Sequence, residues 1–156
     1  MNIVFVCTGN TCRSPLAEVL ARRAAQQRGI SAVFSSAGIG AALGSPANDG
    51  AILVGIERGV DLSRHRSRPL LPGAVGPDTI VLVMAAGHIP GVLAIVPNAR
   101  VYLLDEYASH GASMRAVADP YGGELDDYRT AADSIESMLD GALDRVSTEL
   151  AAKGTS

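Results

Sequence analysis

Residues 2–6 read NIVFV, and the apolar run from Ile3 to Val6 stops abruptly at Cys7. The stretch after it, TGNTCRS, is small and polar. From Pro15 onward apolar residues recur at helical spacing, with Leu16, Val19, Leu20 and Ala24 on one face. A strand that does not alternate polar and apolar residues is buried on both faces, as strands of parallel sheets are. A strand that passes through a short loop into a helix is the first half of a βαβ unit. This junction constrains the fold more than any other stretch, and it predicts an α/β class.

The alternation continues. A strand is predicted over 32–36 (AVFSS), a Gly-rich loop from Ala37 to Pro46, and a helix over 47–58 that stops at Gly59. Asp61 to Pro77 is basic, then Pro-rich, and reads as irregular. TIVLVM (79–84) and RVYLL (100–104) read as further strands, and a polar loop lies between Asp105 and Gly123. Residues 124–151 carry a long amphipathic pattern through Leu125, Ile135, Leu139, Val146 and Leu150. Strands alternating with helices predict a mostly parallel sheet, in which ligands bind beyond the carboxyl ends of the strands. Cys7 stands at such an end.

A length of 156 residues predicts one domain. We place it at 1–152, with a short tail over 153–156. The net charge of −3 argues against general nucleic-acid binding. No apolar run is long enough to span a membrane, and Ile3 to Val6 is too short for a signal peptide. Two cysteines make no disulfide framework, which fits a reducing compartment, so the expected location is cytoplasmic. Without a CxxC pair or an HExxH motif, neither a metal site nor a cofactor is expected.

The chemistry is concentrated in Cys7 to Ser14. Backbone N–H groups of a strand-to-helix loop can converge on one anion, and the helix start adds a positive end. Gly9 permits close approach of the backbone, and the planar fork of Arg13 matches two phosphoryl oxygens. A positive setting of that kind favours the thiolate of Cys7, the nucleophilic form. The loop would then bind a phosphoryl group and hold a sulfur in line with phosphorus, leading to a phosphocysteine. No Gly-Lys-Ser/Thr follows, so it is not a Walker loop. By composition alone Asp119 in ADPYGG reads as a turn residue, His65 as a surface residue, Asn10 and Ser14 as turn or cap residues, and Cys12 equally as packing or as a redox partner of Cys7.

CTGNTCRSPLAE (7–18) closely resembles the signature of the low-molecular-weight protein tyrosine phosphatases. The resemblance extends to SSAG (35–38), DLSRHRSRPL (61–70) and ADPYGG (118–123). It implies a three-layer sandwich with a four-stranded parallel sheet of order 2-1-3-4. It implies Cys7, Arg13 and Asp119 as catalytic groups, the last as acid to the leaving group and base to water. It places Thr8, Gly9, Asn10, Thr11, Cys12, Ser14 and Tyr121 around the substrate, with Ser36 and His65 holding the loop's shape. The implied partners are phosphorylated proteins, with inorganic phosphate or another oxyanion in the loop.

Family members acting on phosphotyrosine tend to carry Ile or Leu at the position of Thr11, and members acting on phosphoarginine resemble this chain in having Thr. The loop from Gly38 to Asn48 has no aromatic residue, Gly122 replaces a common second aromatic, and Ala85 stands where many tyrosine-specific relatives have Asp. The expected activity is therefore a protein arginine phosphatase. A protein tyrosine phosphatase is the alternative. An arsenate reductase on the same scaffold is a weaker one, because the thioredoxin-coupled version needs cysteines after Cys12 and none follows. A catalytically silent oxyanion binder would not need Cys7, Arg13 and Asp119 together. The Arg64–Arg68 run reads equally as an electropositive approach for phosphoprotein or as a solvated loop.

Overall fold

The computed structural model describes residues 1–154. Four strands, β1 (Asn2–Cys7), β2 (Val33–Gly38), β3 (Thr79–Val83) and β4 (Arg100–Leu103), pair in parallel in the order β2-β1-β3-β4. The helices are α1 (Arg13–Arg28), α2 (Asp49–Glu57), α3 (Ile89–Ile95), α4 (Leu104–Ala108) and α5 (Leu125–Gly154). Lys153 and Gly154 of the expected tail belong to α5, and residues 155 and 156 lie outside the described residues. Among the described residues no helix is long and apolar enough to cross a membrane.

The sheet separates two cores. Ile3, Phe5, Ile80 and Leu82 point to one side, against Leu16 and Leu20 of α1 and Ile135, Leu139 and Leu143 of α5. Val4, Val6, Val81 and Val83 point to the other, against Val92 of α3 and Leu70. Each fully buried aliphatic side chain contributes about 1.5–3 kcal/mol. This two-sided burial is why β1 and β3 lack an alternating pattern.

Two local expectations need correction. Ala37 and Gly38 are strand, not loop: they extend β2 by pairing with Val6 and Cys7. A Cβ on Gly38 would collide with the Thr8 carbonyl oxygen, so this glycine serves close packing beneath the loop and not flexibility. The region from 85 to 99, unassigned from sequence, holds the 3-10 turn Ala86–His88 and then α3. Seven residues containing Pro90 and Gly91 are too few to show a helical period. Similarly, α4 occupies only five residues of the stretch read as strand end and polar loop.

Candidate active site

Cys7 ends β1, and the chain reaches α1 after only five residues. The Leu16 N–H donates to the Cys12 carbonyl at 3.0 Å, which starts the helix early enough to include Arg13 and Ser14. Pro15 lacks an N–H and fits this first turn without loss. Residues 7–13 curve around a cavity of about 220 Å³, completed by Asn48, Asp119 and Tyr121. The backbone N–H groups of Thr8, Gly9, Thr11, Cys12 and Arg13 have no acceptor among the described residues. Such a run of free amides forms an anion-binding concavity.

The turn needs Asn10 in the left-handed region, at φ 55°, where Asn is tolerated better than most residues. Asn10 is 0% exposed and saturated with hydrogen bonds. The Arg68 backbone N–H can only donate, and it meets Asn10 Oδ1 at 3.0 Å. That orients the amide. Asn10 Nδ2 therefore donates to Ser14 Oγ and to Ser36 Oγ, each at 2.9 Å. The Ser36 hydroxyl passes its own proton to Glu18 Oε1 at 2.6 Å. The Ser14 hydroxyl is left to donate to Cys7 Sγ at 2.9 Å. The Asn10 N–H reaches the same sulfur at 3.3 Å. His65 Nε2 lies 2.7 Å from the Asn10 carbonyl oxygen, which requires it to be the protonated nitrogen. Ser14, Ser36 and His65 thus all touch Asn10, and through it determine where the sulfur sits.

Arg13 is buried and faces the loop that carries Asp119. Its guanidinium donates to the Val117 carbonyl at 3.0 Å and lies 3.5 Å from Asp119 Oδ2. The Val117 N–H donates to the Met84 carbonyl at 2.8 Å, which ties this loop to the end of β3. Asp119 Oδ1 accepts the Tyr121 N–H at 3.0 Å, and the carboxylate stays half exposed at the cavity edge. Cys12 lines the same cavity, yet burial, then the charges of Cys7 and Asp119, push its thiol up to about 12. Cys12 therefore stays protonated while packing beside the loop.

Two contributors were not read from the sequence. Asn48 lines the cavity and its N–H donates to the Thr11 carbonyl at 2.8 Å. His88 is buried behind Thr8. Its Nδ1 accepts the Ala85 N–H at 3.2 Å, so the ring proton is on Nε2, which donates to Thr8 Oγ1 at 3.2 Å. An isolated histidine in AAGHIP carries no spacing signal.

Burial, then Arg13, hold the His88 imidazole below its ordinary range, against an opposing pull from Asp119. In the unfolded chain it takes a proton near pH 6.5, and in the folded chain only at lower pH. Between those two values the unfolded state binds more protons. Stability therefore falls as pH falls through that window and levels off below it. Replacing His88 by Asn supplies Oδ1 in place of Nδ1, keeps the Ala85 contact and removes this titration. Denaturation midpoints at about pH 7.5 and about pH 5.5 should differ less in His88→Asn than in wild type. An unchanged difference would show that His88 is not the titrating group.

The family model described as low molecular weight phosphotyrosine protein phosphatase matches residues 2–153. The chain belongs to this family. It is accordingly a hydrolase of the cysteine-based phosphatase class. This phosphatase is 37% identical over 149 residues to a protein-arginine-phosphatase of Geobacillus stearothermophilus, covering 94% of this chain and 97% of that one. It is 33% identical to a probable low molecular weight protein-tyrosine-phosphatase, EpsP, of Ralstonia nicotianae, covering 92% and 94%. Among solved structures, a YwlE arginine phosphatase mutant with a phosphorylated active-site serine superposes with a TM-score of 0.88 at 33% identity, over 94% of this chain and 96% of that one. Wzb of Vibrio vulnificus in complex with benzylphosphonate superposes with a TM-score of 0.79 at 30% identity, over 89% and 94%.

Proposed function

We propose that this phosphatase hydrolyses phosphoarginine side chains of proteins through a phosphocysteine at Cys7. The observation that carries this reading is the chemistry of the cavity wall. Thr11 stands at the rim, and Tyr121 is the one aromatic residue lining the cavity among the described residues. A guanidinium is planar, charged and rich in donors, so it prefers hydroxyl and carboxylate neighbours to an apolar slot. Thr11 and Asp119 are such neighbours. The 37% identity to a protein-arginine-phosphatase supports the same reading.

The free amides of the loop and the Arg13 fork hold the three non-bridging phosphoryl oxygens. Cys7 Sγ attacks phosphorus, and an S–P bond forms as the P–N bond to the guanidine breaks. Asp119 gives its proton to the departing nitrogen. The Asp119 carboxylate then takes a proton from water, the water oxygen bonds to phosphorus and the S–P bond breaks. The Ser14 hydroxyl and Asn10 N–H donate to the leaving sulfur, and phosphate is released.

Tyr121, 79% exposed at the cavity edge, favours a second reading in which the leaving group is a tyrosine ring stacked on it. Turnover of matched phosphoarginine and phosphotyrosine peptides separates the two. Wild type should prefer phosphoarginine. Thr11→Ile should move the ratio of kcat/KM toward phosphotyrosine by about tenfold or more. A wild-type preference for phosphotyrosine would overturn the assignment, and an unmoved ratio would remove Thr11 as selector.

A further inference from the structure

Arginines elsewhere in this protein bridge carboxylates, among them Arg13, Arg58, Arg100 and Arg129. Arg64, Arg66 and Arg68 are exposed and have no carboxylate within ion-pair distance among the described residues. With Arg22 they line a groove of about 560 Å³. Two carboxylates share it, and both are already engaged. Glu18 accepts from Ser36 and Arg22. Asp61 accepts the Ser63 N–H at 2.8 Å, and it is held below the usual carboxylate range by Ser63 first and by the charge of Arg64. Four guanidiniums against two occupied carboxylates leave the groove positive in a chain whose net charge is −3.

The groove is braced by hydrogen bonds and adjoins the catalytic cavity. Gly44 N–H donates to the Ser67 carbonyl at 2.8 Å and Ser67 N–H to the Ser45 carbonyl at 2.7 Å. The buried Ser67 hydroxyl donates to Ala42 and accepts from the Ser45 N–H. Arg66 pairs with Pro46 in an antiparallel bridge. His65 and Arg68 of the groove both bond to Asn10, at 2.7 and 3.0 Å, and Asn10 lines the cavity, so the two adjoin. Leu43, 82% exposed, stands on its lip.

We propose that this groove docks an acidic stretch of the phosphorylated protein, flanking the residue that enters the cavity. Docking of this kind presupposes the protein substrate proposed above. Guanidiniums pair with carboxylates in a two-pronged geometry, and exposed pairs of this type act on association rate and salt dependence. The occupant is a peptide because His65 and Arg68 of the groove bond to Asn10 of the cavity, which sets the two close enough for one extended chain to span both.

The test uses two phosphoarginine peptides, one with glutamates and one with glutamines beside the phosphorylated residue, together with the double variant Arg64→Glu, Arg66→Glu. Wild type should turn over the glutamate peptide with a kcat/KM about tenfold higher, and added salt should erase the difference. The double variant should lose or reverse the preference while hydrolysing a small aryl phosphate as wild type does. A fluorescent glutamate peptide without phosphate should bind wild type at low salt and not the double variant, whatever the catalytic activity. A preference absent from wild type, or one that survives the double variant, overturns the docking site. An RNA oligonucleotide of equal charge that binds the groove as tightly as the peptide overturns its assignment to protein. If wild type hydrolyses neither phosphopeptide nor the aryl phosphate, the proposed function fails, and the unphosphorylated peptide still reports on the groove.

Discussion

Cys7→Ser should abolish phosphate release, with a loss of at least about 10⁴-fold in kcat, and leave oxyanion binding intact. The reason is that the loop uses two separable sets of groups. In the proposed reaction the free amides of Thr8, Gly9, Thr11, Cys12 and Arg13 and the Arg13 side chain hold the anion, and none of them bonds the sulfur. In the proposed mechanism the sulfur acts twice, as nucleophile and as leaving group. A serine oxygen sits in the same place and meets the same Ser14 and Asn10 donors, but it ionises far less readily and leaves phosphorus far more slowly. Phosphate release with a phosphoarginine peptide, phosphate binding by calorimetry and intact mass together provide the check. A variant that attacks but cannot release would gain the mass of one phosphoryl group. Turnover at the wild-type rate would show that Cys7 is a packing residue and that hydrolysis occurs elsewhere.

Arg13→Lys should lower kcat by about 10³-fold or more, although it conserves charge. Three contacts converge on this guanidinium: the phosphoryl oxygens of the proposed complex, the Val117 carbonyl and the Asp119 carboxylate. A lysine ammonium is a point charge without a planar fork, so it cannot serve the anion and the loop together. Losing a donor to the transferring group costs about 10²–10³-fold. Releasing Val117, two residues before Asp119, removes a restraint on the acid, whose own contribution is typically about 10²–10⁴-fold. The two effects should overlap, so the double variant Arg13→Lys, Asp119→Asn should lose less than the product of the single losses. Fully multiplicative losses would show that Arg13 does not position the acid. Thermal denaturation separates this from misfolding, since the Val117 N–H remains bound to Met84.

The parallel sheet was legible because burial on both faces leaves its mark within each strand. Ile3 to Val6 and Ile80 to Met84 have no polar position, and only a sheet covered on both sides asks for that. The loop was legible because its requirements are local: a nucleophile at the strand end, Gly9 and Asn10 where the backbone turns, and Arg13 in the first turn of the helix. The long helix α5 showed its period over eight turns, whereas α3 and α4 are too short to show one. Asp119 was named by resemblance, since an Asp-Pro step taken alone is most often a turn.

The sequence by itself determined the class of fold, the loop proposed to bind the anion and the chemical type of the groups around it, because these depend on neighbours in the chain. Only the tertiary structure decided which way the protons run from Asn10 through Ser14 to the sulfur, that His88 braces Thr8 from 80 residues away, and that Arg13 reaches Val117 across 104. It also decided that the Arg64 to Arg68 run is zipped against residues 42–46 beside the cavity. A hydrogen bond forms between groups brought within about 3 Å. For residues this far apart in the chain, that closeness is created by packing and leaves no spacing to read.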